Sequence, residues 1–253
     1  MTRLALPVLV VLATVAACAP VREAVAPPAE DPPRPSRYVA VGDSLATGAG
    51  AQRGYAERYA DHLRADGGGS VRFTNFARDG WTSADLLAAL EGDPRFADAL
   101  TRADVVTIDI GGNDLLRAQA QFLAGECSGE DCLHDAVDAF QTNWDAIVVA
   151  VDRLVAEDTV LITMDLYNPF VAPLRAFGLY ERLQPFLDRV NEHIRRSAAE
   201  HGMTVAPVHA AFNGPEGLAD PVVQGLIAED RLHPSDAGHA VIAELLAEHA
   251  GGS

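Results

Sequence analysis

Five short runs of β-branched and other apolar residues alternate along the chain with longer segments whose apolar residues recur at intervals of three and four. These runs are predicted to be strands and cover residues 37–41, 71–76, 105–110, 159–164 and 204–208. The third and fourth runs are almost continuously apolar, which is typical of strands that are covered on both faces. Strands that alternate with helices indicate an α/β fold, in which helices flank both faces of a parallel sheet.

The helices between the strands are also visible in the pattern. Residues 134–157 place their apolar side chains on one stripe, which predicts a long helix. The same spacing over residues 183–194 predicts a second helix, with Pro185 in its first turn and Gly202 as its C-terminal stop. The last helix is predicted to start with Ser235 as its N-cap. Its buried face is expected to carry Val241, Ile242 and Leu245.

The first 36 residues differ in composition from the rest of the chain. Residues 1–17 join a basic start to an apolar run that is shorter than the about 20 residues needed to span a bilayer, which is typical of a signal peptide. Its last residues and Cys18 resemble the lipobox of bacterial lipoproteins, which implies that Cys18 is lipidated. An ordinary signal peptide that happens to contain a cysteine is the alternative. Residues 18–36 are rich in proline and are expected to form a tether, which leaves residues 37–253 as one domain.

The formal net charge of −17 bears on the partners of this domain. Binding to nucleic acid phosphates requires a basic face, so the charge argues against a nucleic acid partner. It also disfavours direct docking of the domain on anionic headgroups. A soluble acidic domain held by a separate lipid anchor fits both statements. We expect this domain to be a monomer on the outer face of the cell membrane, or to be secreted if the anchor is absent.

The two remaining cysteines, Cys127 and Cys132, are five residues apart. Outside the cytoplasm this spacing favours a local disulfide. Two thiols alone lack the four ligands of a structural zinc site, so a metal site is the weaker interpretation, and free thiols are the remaining alternative.

Polar residues follow the predicted strands, at the edge of the sheet where ligands of parallel α/β folds bind. The first strand is followed by Gly-Asp-Ser-Leu at 42–45, the second by a loop that contains Gly80, and the third by Gly-Gly-Asn-Asp at 111–114. Near the C-terminus, Asp230 precedes His233 by three residues and could orient its imidazole. Each group alone is common in turns, and only the ordered set of four is specific.

These four blocks resemble those of the SGNH (or GDSL) hydrolase family, over a stretch from Tyr38 to about Glu248. The resemblance implies a three-layer, flavodoxin-like fold with a five-stranded parallel sheet. It also implies hydrolysis of carboxylic esters through an acyl-enzyme, with neither a cofactor nor a metal. Residues 166–170, after the fourth strand, are similar to family members as well, but no catalytic role is assigned to them.

The resemblance implies a role for each site residue. Ser44 is the nucleophile, His233 is the general base, and Asp230 fixes the tautomer of His233. The backbone N–H groups of Ser44 and Gly80 and the side-chain amide of Asn113 would form the oxyanion hole.

Other polar residues near the strand ends compete for these roles. His209 follows the fifth strand and is the alternative base, but no carboxylate precedes it by three residues. His239 is expected to be a helix-surface or packing residue. Asp43 is expected to brace the turn around Ser44, and Asp114 to lie at a helix N-terminus without a chemical step. Asp109, inside the third strand, would need partners if it is buried, and the sequence identifies none.

The sequence leaves the substrate open. Lipid esters, short-chain acyl esters, thioesters and acetylated sugars are all compatible with the family, and residues 115–133 are expected to shape the substrate pocket. Two alternatives to a general esterase or lipase are an acetyl-sugar deacetylase of the same family and a catalytically silent surface binding protein. The second would be expected to have damaged catalytic blocks, and all of them are intact.

Overall fold

The computed structural model of the chain describes residues 36–67 and 69–250. The predicted signal peptide, Cys18 and the tether up to residue 35 lie outside the described residues, so their predictions stand on the sequence alone. Within the described ranges, no helix is both long enough and apolar enough to cross a membrane.

One sheet of five parallel strands forms the centre of the domain. The strands are β1 (Ser36–Gly42), β2 (Val71–Asn75), β3 (Val105–Asp109), β4 (Val160–Met164) and β5 (Thr204–Ala206). Their order in the sheet is β2-β1-β3-β4-β5, and each neighbouring pair is parallel. The predicted five-stranded parallel sheet is therefore confirmed. β5 ends two residues before its predicted end because Pro207 has no N–H with which to continue the ladder.

Ten helices lie within the described residues. They are α1 (Ser44–Thr47), α2 (Tyr55–Gly67), α3 (Ser83–Gly92), α4 (Pro94–Leu100), α5 (Gly112–Leu123), α6 (Asp131–Asp152), α7 (Val171–Ala176), α8 (Tyr180–Glu200), α9 (Val208–Asn213) and α10 (Asp236–Ala250). The predicted helix at 134–157 is α6, which begins three residues earlier and ends five residues earlier. Leu154 and Val155 still pack on the core beyond its end, which is why the apolar pattern extended the prediction.

The position predicted for Pro185 is wrong. Helix α8 starts at Tyr180, so Pro185 is the sixth residue of the helix and does not lie in the first turn. The turn before it forms because the buried Tyr180 anchors it, with its hydroxyl donating to the Gly217 carbonyl at 2.8 Å. Pro185 removes the N–H partner of the Glu181 carbonyl, and its exposed place on the helix leaves that carbonyl to solvent.

The start of α10 is as predicted, whereas its buried face is shifted. The Ser235 hydroxyl accepts from the Gly238 N–H at 3.2 Å, which confirms Ser235 as the N-cap. Ile242 is fully buried as expected, but Val241 and Leu245 are only partly buried. Leu246 takes the central position instead.

Helices cover both faces of the sheet. Val39 and Val41 of β1 point into a core formed with α3, α4, α6 and α8. Tyr38 and Ala40, which alternate with them along the strand, point into a second core with α2, α9 and α10. The predicted three-layer fold is confirmed, and it brings the carboxyl ends of β1, β3 and β4 to one edge.

Cys127 and Cys132 are joined by a disulfide, with their Cα atoms 5.7 Å apart. The predicted pairing is thus present in the structure. The bond closes the loop between α5 and α6, and Leu133, the residue after Cys132, is buried in the core.

Candidate active site

Ser44 lies at the mouth of the sheet, where β1 turns directly into the short helix α1. The Asp43 side chain caps this helix, since its Oδ1 accepts from the Leu45 N–H at 3.0 Å. Gly42 precedes it with φ 154°, and a Cβ at this position would overlap the carboxyl group of Asp109. The turn that presents Ser44 therefore requires a glycine at its first position.

His233 joins Ser44 to Asp230 by hydrogen bonds. Its Nε2 lies 2.9 Å from Ser44 Oγ, and its Nδ1 lies 2.7 Å from Asp230 Oδ2. With the Nδ1 proton directed at the carboxylate, Nε2 is left to accept from the serine hydroxyl. The structure thus brings these three predicted residues together in one row.

The loop around His233 is fixed by backbone contacts. Asp230 Oδ1 accepts from the N–H groups of Leu232 and His233, each at 3.0 Å. Arg231, the residue directly after Asp230, has φ 60°. This left-handed residue turns the chain back so that His233 meets Asp230. Partial burial raises the pKa of Asp230, but the hydrogen bonds from Leu232 and then from His233 lower it by more. The pKa of Asp230 is therefore below its ordinary value.

Tyr167 also holds this loop, a role that was not predicted from the sequence. Its hydroxyl donates to the Leu232 carbonyl at 2.7 Å, one residue before His233. Its ring stacks on Phe212, with the ring centroids 4.7 Å apart. The only available signal was the likeness of residues 166–170 to family members.

Asn113 and the Gly80 loop are linked to each other. The Asn113 Nδ2 donates to the Trp81 carbonyl at 2.8 Å and to Asp43 Oδ2 at 3.2 Å. Gly80 has φ 75°, and its carbonyl accepts from the Arg117 guanidinium at 2.8 Å. Asn113 borders the same cavity as Ser44, whereas Gly80 lies outside the cavity wall and is tied to it through Trp81.

Asp109 is buried at the end of β3 against Gly42, and the structure supplies one of the partners that the sequence did not identify. Its Oδ1 accepts from the Tyr55 hydroxyl at 2.6 Å, whereas its Oδ2 has no hydrogen-bond partner among the described residues and the Asp43 carboxyl group is a neighbouring charge. Burial, followed by the charge of Asp43, raises the pKa of Asp109 well above its ordinary value. Burial also raises the pKa of Asp43, to about 6. Two adjacent buried carboxyl groups favour holding one proton between them.

A cavity of about 120 Å³ opens beside Ser44. It is bordered by residues from α5, the start of α6, the β4–α7 loop, α7 and α8. The pocket prediction for residues 115–133 holds in part: Leu115, Leu116, Gln119 and Leu133 line the cavity, and α8 contributes a further wall. Among the described residues, no group of three or more His, Cys, Asp or Glu side chains is arranged to hold a metal ion.

A sequence profile of the GDSL-like lipase/acylhydrolase family matches residues 40–241. The chain belongs to this family. The spore germination lipase LipC of Bacillus licheniformis is 28% identical to this GDSL-like hydrolase over 216 residues, which cover 83% of the chain and 94% of LipC. A lipase from a goat rumen metagenome, Lip_vut3, has a similar structure, with a TM-score of 0.72 and 26% identity over 85% of this chain and 97% of its own.

An acetylxylan esterase from Geobacillus stearothermophilus shares the fold as well. Its TM-score is 0.62 at 21% identity, over 86% of this chain and 95% of its own. At that identity the likeness concerns the architecture alone.

The competing polar residues of this GDSL-like hydrolase lie away from Ser44 or support it indirectly. His209 does not border the cavity; its backbone N–H donates to Asp165 at 2.7 Å, and burial lowers its pKa. His239 is fully buried between the Tyr55 N–H and the Ala49 carbonyl, so it is a packing residue. Asp114 lies in the first turn of α5, as predicted, and accepts from the backbone and hydroxyl of Ser83 at 2.9 and 2.6 Å, which ties α5 to α3.

Proposed function

We propose that this GDSL-like hydrolase cleaves carboxylic esters with Ser44 as nucleophile, His233 as general base and acid, and Asp230 as the positioning residue. The observation that carries the proposal is the hydrogen-bonded row from Ser44 Oγ to His233 Nε2 and from His233 Nδ1 to Asp230 Oδ2. A serine hydroxyl is a poor nucleophile until a base takes its proton, and this row supplies that base in the required tautomer.

The proposed reaction has two halves. Ser44 Oγ forms a bond to the ester carbonyl carbon, its proton passes to His233 Nε2, and the carbonyl electron pair moves onto oxygen. The tetrahedral adduct then expels the alcohol oxygen, which takes the proton from His233 and leaves an acyl group on Ser44. Water repeats the sequence on the acyl-enzyme, so the products are a carboxylic acid, an alcohol and free Ser44.

The oxyanion of each tetrahedral adduct is proposed to be bound by the N–H groups of Ser44 and Gly80 and by the Asn113 amide. The contact of Asn113 with Asp43 holds the amide beside the turn that carries Ser44. Both amide protons are donated within the protein, so the proton on the longer bond, to Asp43 at 3.2 Å, is the one proposed to turn to the oxyanion, while the bond to the Trp81 carbonyl at 2.8 Å stays in place. Loss of one such donor typically lowers kcat about 10²–10³-fold. We expect a loss of that size for Asn113→Ala in p-nitrophenyl ester hydrolysis. A near-normal kcat would remove Asn113 from the oxyanion hole.

The test of the enzyme proposal is active-site labelling. The purified domain is incubated with a fluorophosphonate probe and, separately, with p-nitrophenyl acetate and longer esters. We expect one label per chain on Ser44 and ester turnover, and loss of both in Ser44→Ala. Ser70→Ala, at an exposed serine before β2, is the matched control and should label as the wild type does. Absence of labelling and turnover would instead support a silent binding protein.

We further propose that the domain is exported and anchored by a lipid on Cys18. The support is the sequence of residues 1–18 and the proline-rich tether that follows. Cys18→Ser should release the protein from the membrane fraction into the medium. The double variant Cys127→Ser/Cys132→Ser removes the other two cysteines and should leave it in the membrane fraction. Membrane association that persists in Cys18→Ser would contradict the lipid anchor.

A further inference from the structure

The cavity beside Ser44 has two chemically different parts. At one end, Ser44 is surrounded by the polar side chains of Asp43, Asp109, Asn113 and His233. Most of the remaining wall is aliphatic or aromatic, and its side chains include Leu116, Leu133, Leu183, Phe186 and Leu187.

The polar groups in this apolar part are almost all occupied by protein partners. Asn168 Nδ2 donates to Gln184 at 2.7 Å, and its Oδ1 accepts from the Phe170 N–H at 2.8 Å. The Tyr167 hydroxyl donates to the Leu232 carbonyl. Of the polar side chains on this wall, Gln119 alone has no side-chain hydrogen bond to another described residue. A sugar ring would need several hydrogen-bonding partners in place of its water, and this wall does not provide them.

We propose that this cavity is the acyl site of the enzyme and that it binds the straight aliphatic chain of a fatty-acyl ester. The proposal rests on the proposed function, because the carbonyl carbon must lie at Ser44 for its chain to enter the apolar part. Burial of methylene groups from water is the driving force for such binding. An acetylated sugar is a poor match for this acyl site, because its acetyl group would fill only a small part of the apolar cavity.

The volume of the cavity indicates the chain length. An apolar cavity of about 150 Å³ is large enough to take up benzene, which has six carbon atoms. The cavity of about 120 Å³ is somewhat smaller. By this comparison it accommodates about five carbons beyond the carbonyl, so a hexanoyl group is the best match.

Some walls of the cavity are fixed and others can be altered. Leu133, Leu183 and Phe186 are buried members of the core, so their substitution would disturb the fold. Leu116 of α5 and Leu187 of α8 are only partly buried, which makes them the better sites for adding volume. Leu123 lies two turns after Leu116 on the same helix, is 54% exposed and does not line the cavity, which makes it a matched control.

The experiment measures kcat/KM for p-nitrophenyl esters from acetate to decanoate in the wild type, Leu116→Phe, Leu187→Phe and Leu123→Phe. In the wild type we expect a gain of about fourfold for each added methylene up to about hexanoate, and little gain beyond it. Each cavity variant should lower the hexanoate-to-acetate ratio by about fourfold to sixteenfold, as if one or two methylenes were left outside. Leu123→Phe should keep the wild-type ratio.

The outcomes separate the two proposals. Fluorophosphonate labelling of Ser44 together with a maximum at acetate, or an unchanged ratio in both cavity variants, would overturn the acyl site and leave the esterase proposal in place. A kcat/KM that stays constant from acetate to decanoate would also overturn the acyl site and leave the esterase proposal in place. Absence of labelling and of all ester turnover would overturn both proposals.

Discussion

The hydroxyl group of Tyr55 donates a 2.6 Å hydrogen bond to Oδ1 of Asp109. This contact ties helix α2 to the end of strand β3, beside Gly42 of the turn that carries Ser44. Both side chains are buried, so water cannot replace the bond. Tyr55→Phe leaves a buried carboxyl oxygen without its donor, and we expect a loss of about 1–3 kcal/mol in the free energy of unfolding. Urea denaturation followed by circular dichroism measures it.

Tyr59, one turn later on α2, provides the control. Its ring is also buried, but its hydroxyl has no hydrogen-bond partner among the described residues. Tyr59→Phe should therefore be neutral or slightly stabilising. Equal losses in the two variants would show that ring packing, and not the bond to Asp109, sets the stability of this region.

The raised pKa of Asp109 predicts how its contribution to stability changes with pH. The folded state keeps a proton on Asp109 that the unfolded chain releases near pH 4. The folded state is therefore favoured at low pH, and this contribution is lost as the pH rises through the folded-state pKa. Asp109→Asn cannot titrate, so its stability relative to the wild type should improve from pH 4.5 to pH 8, measured by urea unfolding.

Asp85 should show the opposite trend. Hydrogen bonds from Thr82, first from its backbone and then from its hydroxyl, lower the pKa of Asp85 in the folded state. Its contribution is present above the ordinary pKa and disappears as the pH falls through the lower one. The free energy of unfolding of Asp85→Asn should therefore fall further below that of the wild type as the pH rises from about 3 to 7.

The two variants together test the prediction for Asp109. A difference in unfolding free energy between Asp109→Asn and the wild type that does not change with pH would mean that Asp109 is ionised in the folded protein.

The fold could be predicted where a pattern is local. Short runs of β-branched and other apolar residues identified all five strands, and Ser235 was identified from the sequence as the N-cap of α10. Local patterns failed at Pro185, because the turn ahead of it is stabilised by the contact of Tyr180 with Gly217, 37 residues further along the chain. The burial of the last helix was misjudged for a similar reason, since its rotation is set by the layer that it packs on.

The residues of the candidate site that lie in local sequence motifs could also be predicted. Ser44, His233, Asp230 and Asn113 follow strands or lie in short motifs, and the structure brings them to one edge. The partner of Asp109 could not be inferred, because Tyr55 lies 54 residues earlier on a helix of the opposite layer. The apolar wall from α8 was missed for the same reason, since only the fold brings α8 beside α5.

Asp230 holds His233 in the tautomer that accepts from Ser44. Asp230→Asn keeps the size of the side chain but can donate to Nδ1, which favours the wrong tautomer. We expect kcat/KM for p-nitrophenyl esters to fall about 10²–10⁴-fold. The free energy of unfolding at pH 7 should also fall somewhat, because the lowered pKa of Asp230 makes its carboxylate stabilising at that pH. Asp220→Asn is the control, because Asp220 also accepts a backbone N–H in a turn but does not contact His233. Activity within a few-fold of the wild type in Asp230→Asn would count against its positioning role.

Tyr167 is expected to act on His233 through the backbone. Tyr167→Phe removes the hydroxyl that fixes the Leu232 carbonyl, so the His233 ring can move away from Ser44. We expect a loss of about 1 kcal/mol in stability and a fall of about tenfold in kcat for p-nitrophenyl acetate, since small displacements of a catalytic group are costly. Tyr180→Phe removes a bond of similar length, to the Gly217 carbonyl. It should match the stability loss and keep kcat, because Tyr180 does not border the cavity. If both variants lose kcat to the same degree, the effect of Tyr167 is one of general stability and not of positioning.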